Sequence, residues 1–501
     1  MTTTTEQPAG PNQRVLDFLS GPKRLLIGGE WVPALDGRTF ATINPATETE
    51  LTQVAHASEA DVDRAVRAAR AAFEYGSPWS RTTPRERGRL LWRIADLIDE
   101  NAEELAQLES LDNGKMVAAA RDGDIATTAE VFRYFAGWAN KIEGTTIPMS
   151  VPGKEYLAYT LREPVGVVAG IVPWNFPLLL ACFKVAPALT AGNTVILKPA
   201  EQTPLTALRF GELVLEAGVP AGVVNVVTGF GETGAALVAH RNVDKVAFTG
   251  STEVGKKIAA ASAGNLKKVS LELGGKAPDI IFADADLETA IAGAAHAGFF
   301  NEGQCCVNGS RLYVERPVYD EVVAGIAEIA RKIRVGGGFD TGAQMGPMVS
   351  AEQHEKVLGY VRQGIAGGAA AASGGPDNPR DRGYFVAPTL LTGVTEDMAV
   401  QREEIFGPVV TAMAFDTVDE VVAAANNTRF GLAAGLWTQN VATAHHVAGR
   451  LRAGTVWINS WHADDITLPR GGYKESGWGR EMGAFGVNDF TELKTVITGI
   501  R

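Results

Sequence analysis

Residues 165–200 have the sequence VGVVAGIVPWNFPLLLACFKVAPALTAGNTVILKPA, and their pattern predicts the fold class. It contains two short apolar runs rich in β-branched residues, at 165–172 and 194–197. Similar runs follow at 223–227 and 245–248, with helical stretches between them. Buried strands that alternate with helices predict a parallel sheet covered by helices. Ligands bind at the carboxyl ends of such strands, so the residues just after them are the first functional candidates.

Part of the same stretch resembles a membrane-spanning segment in its length and lack of charge. Residues 164–183 carry no charge and are numerous enough to cross a bilayer. Pro173, Asn175 and Pro177 interrupt the run, and prolines break the helical hydrogen bonding that a lone span requires. We therefore expect a buried strand that runs into a loop, and no membrane partner.

The segment before the sheet is predicted to be mainly helical. Ser58 followed by Asp61 forms a capping box, and Thr83 with Pro84 opens a second helix. This helical region is expected to end near Gly114.

A second α/β domain is expected over about residues 278–470, where strands and helices alternate again. Residues 366–383, rich in Gly, Ala, Pro and Asp, are predicted to be a surface loop within it.

The composition excludes several classes of protein. The chain has 501 residues, which suffice for two to four domains, and its formal net charge of -12 has the wrong sign for binding nucleic acid. Cys182, Cys305 and Cys306 offer no disulfide framework, and the seven histidines show no metal-ligand spacing. The polar residues 1–14 lack the pattern of a secretion signal and are expected to form a frayed tail. We expect a cytoplasmic protein without a metal.

Two glycine-containing loops are candidates for a nucleotide phosphate site. GFGETG, with Gly229, Gly231 and Gly234, follows a strand and precedes a helix, but a plain turn is an equal alternative. The loop 250–255, with Ser251, also follows a strand and offers N–H groups and a hydroxyl. The choice between the two loops stays open on this reasoning.

Lys198 and Glu201 lie just past the strand at 194–197, where they could bind a ribose. The carboxylate favours NAD, because the 2'-phosphate of NADP would meet a like charge. An ordinary surface pair is the alternative.

The stretch FFNEGQCCVNGSR contains Cys305 and Cys306. Buried cysteines are usually inert packing residues, but the flanking Gly, Asn and Gln indicate a turn at a cleft, where a thiolate acts as a nucleophile. Glu272, in LELGGK at the end of an apolar strand, is the candidate base, since burial would raise its pKa towards working pH. A structural acid at a strand end is the alternative.

Taken together, these segments resemble the aldehyde dehydrogenase superfamily over about residues 27–494. The resemblance rests on six motifs in the family's order: PWNFP at 173–177, KPAEQTP at 198–204, FTGSTEVG at 248–255, LELGGK at 271–276, GQCC at 303–306 and EEIFGPV at 403–409. Within the superfamily, LKKVSLELGGK and YKESGWGRE look most like phenylacetaldehyde-type dehydrogenases.

The resemblance implies a three-domain α/β fold. It consists of a Rossmann-like NAD-binding domain at 1–145 and 165–275, an α/β catalytic domain at 276–475, and a small β oligomerisation element at 146–164 and 484–501. It also implies a homotetramer or homodimer.

The resemblance further implies NAD-dependent oxidation of an aldehyde to a carboxylic acid through a cysteine thiohemiacetal and a thioester. Cys306 would be the nucleophile, Asn175 the oxyanion donor with the Cys306 N–H, and Glu272 the base, with Lys184 and Glu481 as a polar relay behind it. The residues implied to bind NAD are Trp174, Lys198, Glu201, Gly231, Ser251, Glu404 and Phe406, with Ser251 on the pyrophosphate and GFGETG bordering the adenine.

The substrate tunnel is expected to be lined by Phe176, Leu180, Phe183, Cys305, Val307, Asp464 and Arg470. Its apolar part favours aryl or medium-chain aldehydes. Pro-Arg-Gly-Gly at 469–472 departs from the family's Pro-Phe-Gly-Gly, and the preceding stretch 461–465 is polar. We expect Arg470 to pair with Asp464 or Asp465, because an unpaired guanidinium in an apolar site is costly. The alternatives are a semialdehyde or other polar aldehyde as substrate, and a thioester hydrolase or acyltransferase without redox chemistry.

Overall fold

The computed structural model describes residues 10–500. Within this range the strands form two large sheets and two small ones. The helices are α1 (Gln13–Leu19), α2 (Glu59–Phe73), α3 (Pro84–Glu100), α4 (Ala102–Asn113), α5 (Val117–Ala119), α6 (Ala126–Ala136), α7 (Pro177–Ala191), α8 (Leu205–Glu216), α9 (Gly231–Ala239), α10 (Thr252–Ser262), α11 (Leu287–Phe299), α12 (Tyr319–Lys332), α13 (Ala351–Ala366), α14 (Ala399–Arg402), α15 (Val418–Asn426), α16 (Val441–Ala448) and α17 (Gly483–Asp489).

The strands are β1 (Leu25–Ile27), β2 (Glu30–Val32), β3 (Thr39–Asn44), β4 (Thr49–Ala55), β5 (Thr146–Ile147), β6 (Tyr156–Pro164), β7 (Val167–Ile171), β8 (Thr194–Lys198), β9 (Val224–Val226), β10 (Lys245–Thr249), β11 (Lys268–Glu272), β12 (Pro278–Ile281), β13 (Arg311–Glu315), β14 (Ala370–Ser373), β15 (Thr389–Thr392), β16 (Val409–Phe415), β17 (Ala433–Trp437), β18 (Thr455–Ile458), β19 (Gly477–Trp478) and β20 (Thr491–Gly499).

The predicted parallel sheet is confirmed. Its strand order is β19-β11-β10-β7-β8-β9-β1-β2, and the five central strands β11 to β9 run parallel. Val167, Ala169 and Ile171 of β7 pack in one core with α2, whereas Val168 packs in another with α7. Because helices cover both faces, the strands are apolar throughout instead of alternating.

The second sheet has the order β14-β15-β16-β13-β12-β17-β18 and is parallel except for β14. It falls within the predicted second α/β region. The prediction of a surface loop at 366–383 was partly wrong, because Ala370–Ser373 form β14, which pairs antiparallel with β15 at the sheet edge. Its Ala-rich sequence has low strand propensity, so pairing with a neighbour decides its conformation.

The uncharged run at 164–183 contains β7, a short loop, and the first turns of α7. The expected loop therefore ends at Pro177, which occupies the first turn of a helix, where a missing N–H costs nothing. No helix among residues 10–500 is both long and apolar enough to span a membrane.

The N-terminal region is helical, and both expected helix starts at Ser58 and Thr83 carry full capping boxes. α4 ends at Gly114 in the left-handed conformation. The helical region was expected to end there, but it resumes in α5, a π-helix at Ala120–Ile125, and α6. The frayed tail predicted for residues 1–14 was wrong at its end, since α1 begins at Gln13 and is capped by Asn12; residues 1–9 lie outside the described range.

A third sheet, in the order β20-β6-β5, joins the C-terminal strand β20 to two strands within residues 146–164. β20 pairs with β6 along its whole length, from Thr491 opposite Pro164 to Gly499 opposite Tyr156. This third sheet carries exposed apolar side chains on both strands, among them Leu157, Leu161, Leu493 and Ile497.

Candidate active site

Two cavities meet at Cys306, which lines both of them together with Thr249. The smaller cavity, about 180 Å³, is bounded by the ends of β7, β10 and β11 and by α13. The larger, about 340 Å³, extends between α7 and the segment 462–471. A thiol at this junction can face a cofactor on one side and a substrate on the other.

The turn before Cys306 holds the thiol in place. Asn301, Glu302 and Gly303 all have positive φ, at 50°, 57° and 70°. Such a run bends the backbone sharply, so the cysteine leaves α11 abruptly and enters the cleft. A hydrogen bond with Cys305, followed by burial, raises the pKa of the Cys306 thiol well above its usual value. The resting nucleophile is therefore a neutral thiol that must lose its proton before it attacks.

Asn175 lies in the loop after β7 and is 3% exposed. Its side-chain Nδ2 donates to the backbone carbonyl of Gln304 at 3.0 Å. The loop is thus tied to the chain two residues before the thiol, and the second N–H of this amide is left for another acceptor.

Glu272 ends β11, where its carboxyl faces the larger cavity. Its Oε1 atom is buried without a hydrogen-bond partner. Burial and, second, the nearby charge of Glu481 raise the pKa of Glu272 well above its ordinary value. Lys184 forms an ion pair with Glu481 and donates to Thr249 Oγ1 at 2.6 Å. The structure thus brings together all five expected catalytic residues.

Four of the expected cofactor residues, Trp174, Ser251, Glu404 and Phe406, line the smaller cavity. Glu404 Oε1 accepts a hydrogen bond from the Gly275 N–H at 2.8 Å, and the Phe406 ring meets Trp174 edge to face at 5.1 Å.

These residues fit a dinucleotide. Ser251 caps α10, whose N-terminus suits a phosphate, and a Cβ at Gly274 would lie 2.3 Å from Glu404 Oε2. Only glycine therefore leaves the Glu404 carboxylate in its place.

The remaining cofactor residues, Lys198, Glu201 and Gly231, lie outside both cavities, at the end of β8 and the start of α9. Lys198 Nζ is 3.7 Å from Glu201 Oε2, and a Cβ at Gly231 would meet no atom within 4 Å. Both candidate loops begin helices. Of the two, the loop with Ser251 reaches the cavity that contains Cys306.

All seven expected substrate residues line the larger cavity. The expected ion pair is present, with Arg470 Nη2 2.9 Å from Asp464 Oδ2, and the guanidinium lies 5.8 Å from the Phe183 ring. Sequence reasoning missed Phe300 and Trp457, which share this cavity.

His462 is a further lining residue that was missed, and its ring lies 4.5 Å from that of Phe300. Burial lowers the pKa of His462 to about 4, so it adds a neutral polar wall. The polar sequence of residues 461–465 was the feature that could have identified His462 as a lining residue.

On the cofactor side, the missed residues are Gln353 and Lys356 of α13. Gln353 Nε2 donates to the carbonyls of Ile405 and Phe406, at 3.1 and 2.7 Å. Helical periodicity alone gave no signal for them. Among residues 10–500, no group of three His, Cys, Asp or Glu side chains is arranged to hold a metal ion.

A cysteine between a dinucleotide cleft and an apolar tunnel, with a buried carboxyl beside it, defines a dehydrogenase that acts through a covalent intermediate. The chain belongs to the aldehyde dehydrogenase family, whose model matches residues 31–496. The family resemblance and the three-domain α/β fold class inferred from sequence are thereby confirmed.

Relatives support this assignment over nearly the full length. The chain is 49% identical to the mitochondrial aldehyde dehydrogenase of Mesocricetus auratus over 98% of this chain and 97% of that one. An NAD+ complex of aldehyde dehydrogenase from Bacillus cereus superposes with a TM-score of 0.97 at 51% identity, covering 99% and 100% of the two chains. An indole-3-acetaldehyde dehydrogenase complexed with NAD+ superposes with a TM-score of 0.93 at 43% identity, covering 95% and 97%.

Proposed function

We propose that this aldehyde dehydrogenase oxidises aryl or medium-chain aldehydes to carboxylic acids by covalent catalysis at Cys306. The observation that carries the proposal is the position of Cys306 at the junction of the two cavities. The direct test is growth of the reduced-nicotinamide absorbance with a panel of aldehydes.

In the first half of the reaction, the Cys306 thiol loses its proton to solvent water. The resulting thiolate bonds to the aldehyde carbon, and the carbonyl electron pair moves to oxygen. The second N–H of the Asn175 amide and the Cys306 backbone N–H stabilise this oxyanion. NAD is the cofactor of this enzyme, and when bound it would supply the hydride acceptor for the thiohemiacetal carbon. The carbon–oxygen double bond re-forms as a thioester.

In the second half, Glu272 takes a proton from water, whose oxygen attacks the thioester carbon. The carbon–sulfur bond breaks and releases the carboxylic acid with Cys306 as the leaving thiolate. Burial holds the pKa of Glu272 above its ordinary value, which makes its carboxylate a stronger base towards water. Lys184 and Glu481 stand behind Glu272 and would pass its proton onward.

For NAD we propose that Lys198 and Glu201 bind the adenosine ribose and that Gly231 borders the adenine. Ser251 would face the pyrophosphate and Glu404 the nicotinamide ribose. Trp174 and Phe406 would pack beside the nicotinamide, where their rings already contact each other.

The substrate preference rests on the walls of the larger cavity. Phe176, Leu180, Phe183 and Val307 supply apolar surface, and Arg470 is paired with Asp464. With its charge matched, Arg470 has little affinity left for a substrate carboxylate. An aromatic substrate of a relative, indole-3-acetaldehyde, fits the same preference.

Two other functions compete with this proposal. A semialdehyde or other polar aldehyde is the substrate if Arg470 leaves Asp464 in the complex. A thioester hydrolase or acyltransferase without redox chemistry would have no use for a fixed Glu404. Comparing phenylacetaldehyde with succinic semialdehyde, on wild type and on Arg470→Phe, separates the substrates. A preference for the semialdehyde that the variant loses contradicts the pairing argument.

We also propose the domain bounds given above and a homotetramer or homodimer assembled through 146–164 and 484–501. The exposed apolar side chains of the third sheet support this, because monomers rarely leave such patches uncovered. Light scattering of wild type and of Leu493→Asp tests it, and the variant should dissociate. A cytoplasmic location stays a prediction.

A further inference from the structure

A buried cluster of charged side chains lies behind the loop that carries Asn175. Its centre is Lys115, which is 2% exposed and follows the end of α4. The Lys115 ammonium forms ion pairs with Asp124 and, at 3.2 Å, with Glu109. Burial opposes the charge on Lys115, but these two carboxyls outweigh burial and raise its pKa. The lysine therefore remains an ammonium ion in this pocket.

Lys115 contacts two consecutive residues of the loop. Its Nζ donates to the Asn175 carbonyl at 3.0 Å and lies 4.5 Å from the centre of the Phe176 ring. Asn301 Nδ2 donates to the same carbonyl at 3.2 Å and to the Gln304 carbonyl at 3.1 Å. One carbonyl thus ties the buried cation, the loop and the segment before the nucleophile together.

This arrangement can control the direction of the Asn175 amide. Hydrogen bonds from a charged donor are stronger than neutral ones, and burial strengthens them further. Oxyanion donors work only when they are held in place before the reaction, and a displacement of about 1 Å can cost about a hundredfold in rate. Lys115 lines neither cavity, so it acts on the reaction through the residues it contacts, of which Asn175 lines the smaller cavity and Asp124 the larger.

We propose that Lys115 is a positioning residue of the oxyanion site, which holds the Asn175 carbonyl and the Phe176 ring and thereby aims the Asn175 side-chain amide. The inference deepens the function proposed above, because it rests on Asn175 being the oxyanion donor.

The test is a double-mutant cycle on the full-length enzyme with NAD and phenylacetaldehyde. Lys115→Met should lower kcat by roughly 10- to 100-fold, part of what loss of an oxyanion donor costs. The Kd for NAD should stay within about twofold, since the hydrogen bonds and ion pairs of Lys115 involve none of the residues proposed to bind NAD. In an Asn175→Ala background, the same change should lower kcat by less than about twofold, because there is no amide left to aim.

Lys245→Met is the matched control. Lys245 is also fully buried, donates to Asp489 Oδ2 at 2.8 Å, and lies 5.1 Å from the Phe490 ring. Its loss should change kcat by the same factor with and without Asn175, as a purely structural effect does. If Lys115→Met fails to fold, Lys115→Met with Glu109→Gln replaces it in the cycle, because it also removes a partner carboxylate that lines neither cavity.

Equal losses from Lys115→Met in both backgrounds, or full kcat in the folded single variant, overturn the inference and leave the role of Asn175 intact. Full activity of Asn175→Ala alone overturns the oxyanion assignment itself, and with it the inference. A loss of kcat that Lys115→Met causes in the wild-type background but not in the Asn175→Ala background supports both the oxyanion assignment and the inference.

Discussion

Glu272→Gln separates the two halves of the proposed reaction. The amide keeps the size of the side chain but cannot take a proton from water. General bases contribute roughly 10²- to 10⁴-fold to a rate, which is about 3 to 5 kcal/mol. Glu481 also lines the larger cavity, but its carboxylate is paired with Lys184. Since that pairing leaves no ready substitute for the base, we expect the thioester to hydrolyse about 10³-fold more slowly.

Glu272→Gln should not lower the stability of the fold. The unfolded chain ionises Glu272 near its ordinary pKa, whereas the folded chain keeps the proton to a higher pH. The free energy of unfolding therefore falls as the pH rises above the ordinary value, and it stays lowered at alkaline pH. Gln cannot ionise, so the variant should melt at a higher temperature than wild type at alkaline pH, with the difference shrinking in acid.

Rapid mixing of Glu272→Gln with NAD and aldehyde measures the outcome. We expect a burst of reduced cofactor close to one per Cys306, followed by slow turnover. In wild type, the acid limb of the pH profile for thioester hydrolysis should lie above the ordinary glutamate pKa, because only the carboxylate acts as a base. Unaltered steady-state turnover in the variant would remove Glu272 from the mechanism.

Three further outcomes are expected. Cys306→Ala should abolish oxidation and retain NAD binding by fluorescence titration, whereas Cys305→Ala should retain turnover; reversed results would exchange their roles. Glu201→Gln should narrow the preference for NAD over NADP by about fivefold. Repulsion between this half-exposed carboxylate and a 2'-phosphate amounts to only about 1 kcal/mol. Equal wild-type efficiency with both cofactors contradicts this prediction. Thr83→Ala should lower the free energy of unfolding by about 1 kcal/mol in denaturant titrations, because it breaks the capping box with Glu86, and an unchanged midpoint would contradict that estimate.

The sequence was sufficient where local chemistry decides the structure. The parallel sheet follows from its apolar strands, and the helix starts at Ser58 and Thr83 follow from their own side chains. The six motifs identified the family, because each motif lies at a strand end or a turn that shapes the site. Pairing of Arg470 with Asp464 followed from the cost of burying an unpaired guanidinium.

Contacts between segments that are distant in the sequence could not be predicted from local patterns. β14 has weak strand propensity and exists because β15 lies beside it. Gln353 enters the cofactor cavity from a helix whose sequence shows only amphipathic spacing. Lys115 follows a helix end that pattern reasoning treated as a boundary, and its partner Asp124 lies in a π-helix that no periodicity predicts.

The glycines after Glu272 explain why the two cavities can meet at one thiol. A Cβ at Gly275 would lie 2.1 Å from the Cys306 carbonyl oxygen, while the Gly275 N–H holds Glu404 at 2.8 Å. A single backbone position therefore touches the nucleophile segment on one side and a cofactor residue on the other. The base, three residues earlier at the end of β11, shares this rigid strand end. Because no side chain fits at that position, the separation between the proposed base, thiol and cofactor residue is set by backbone contact, which keeps it nearly independent of the substrate.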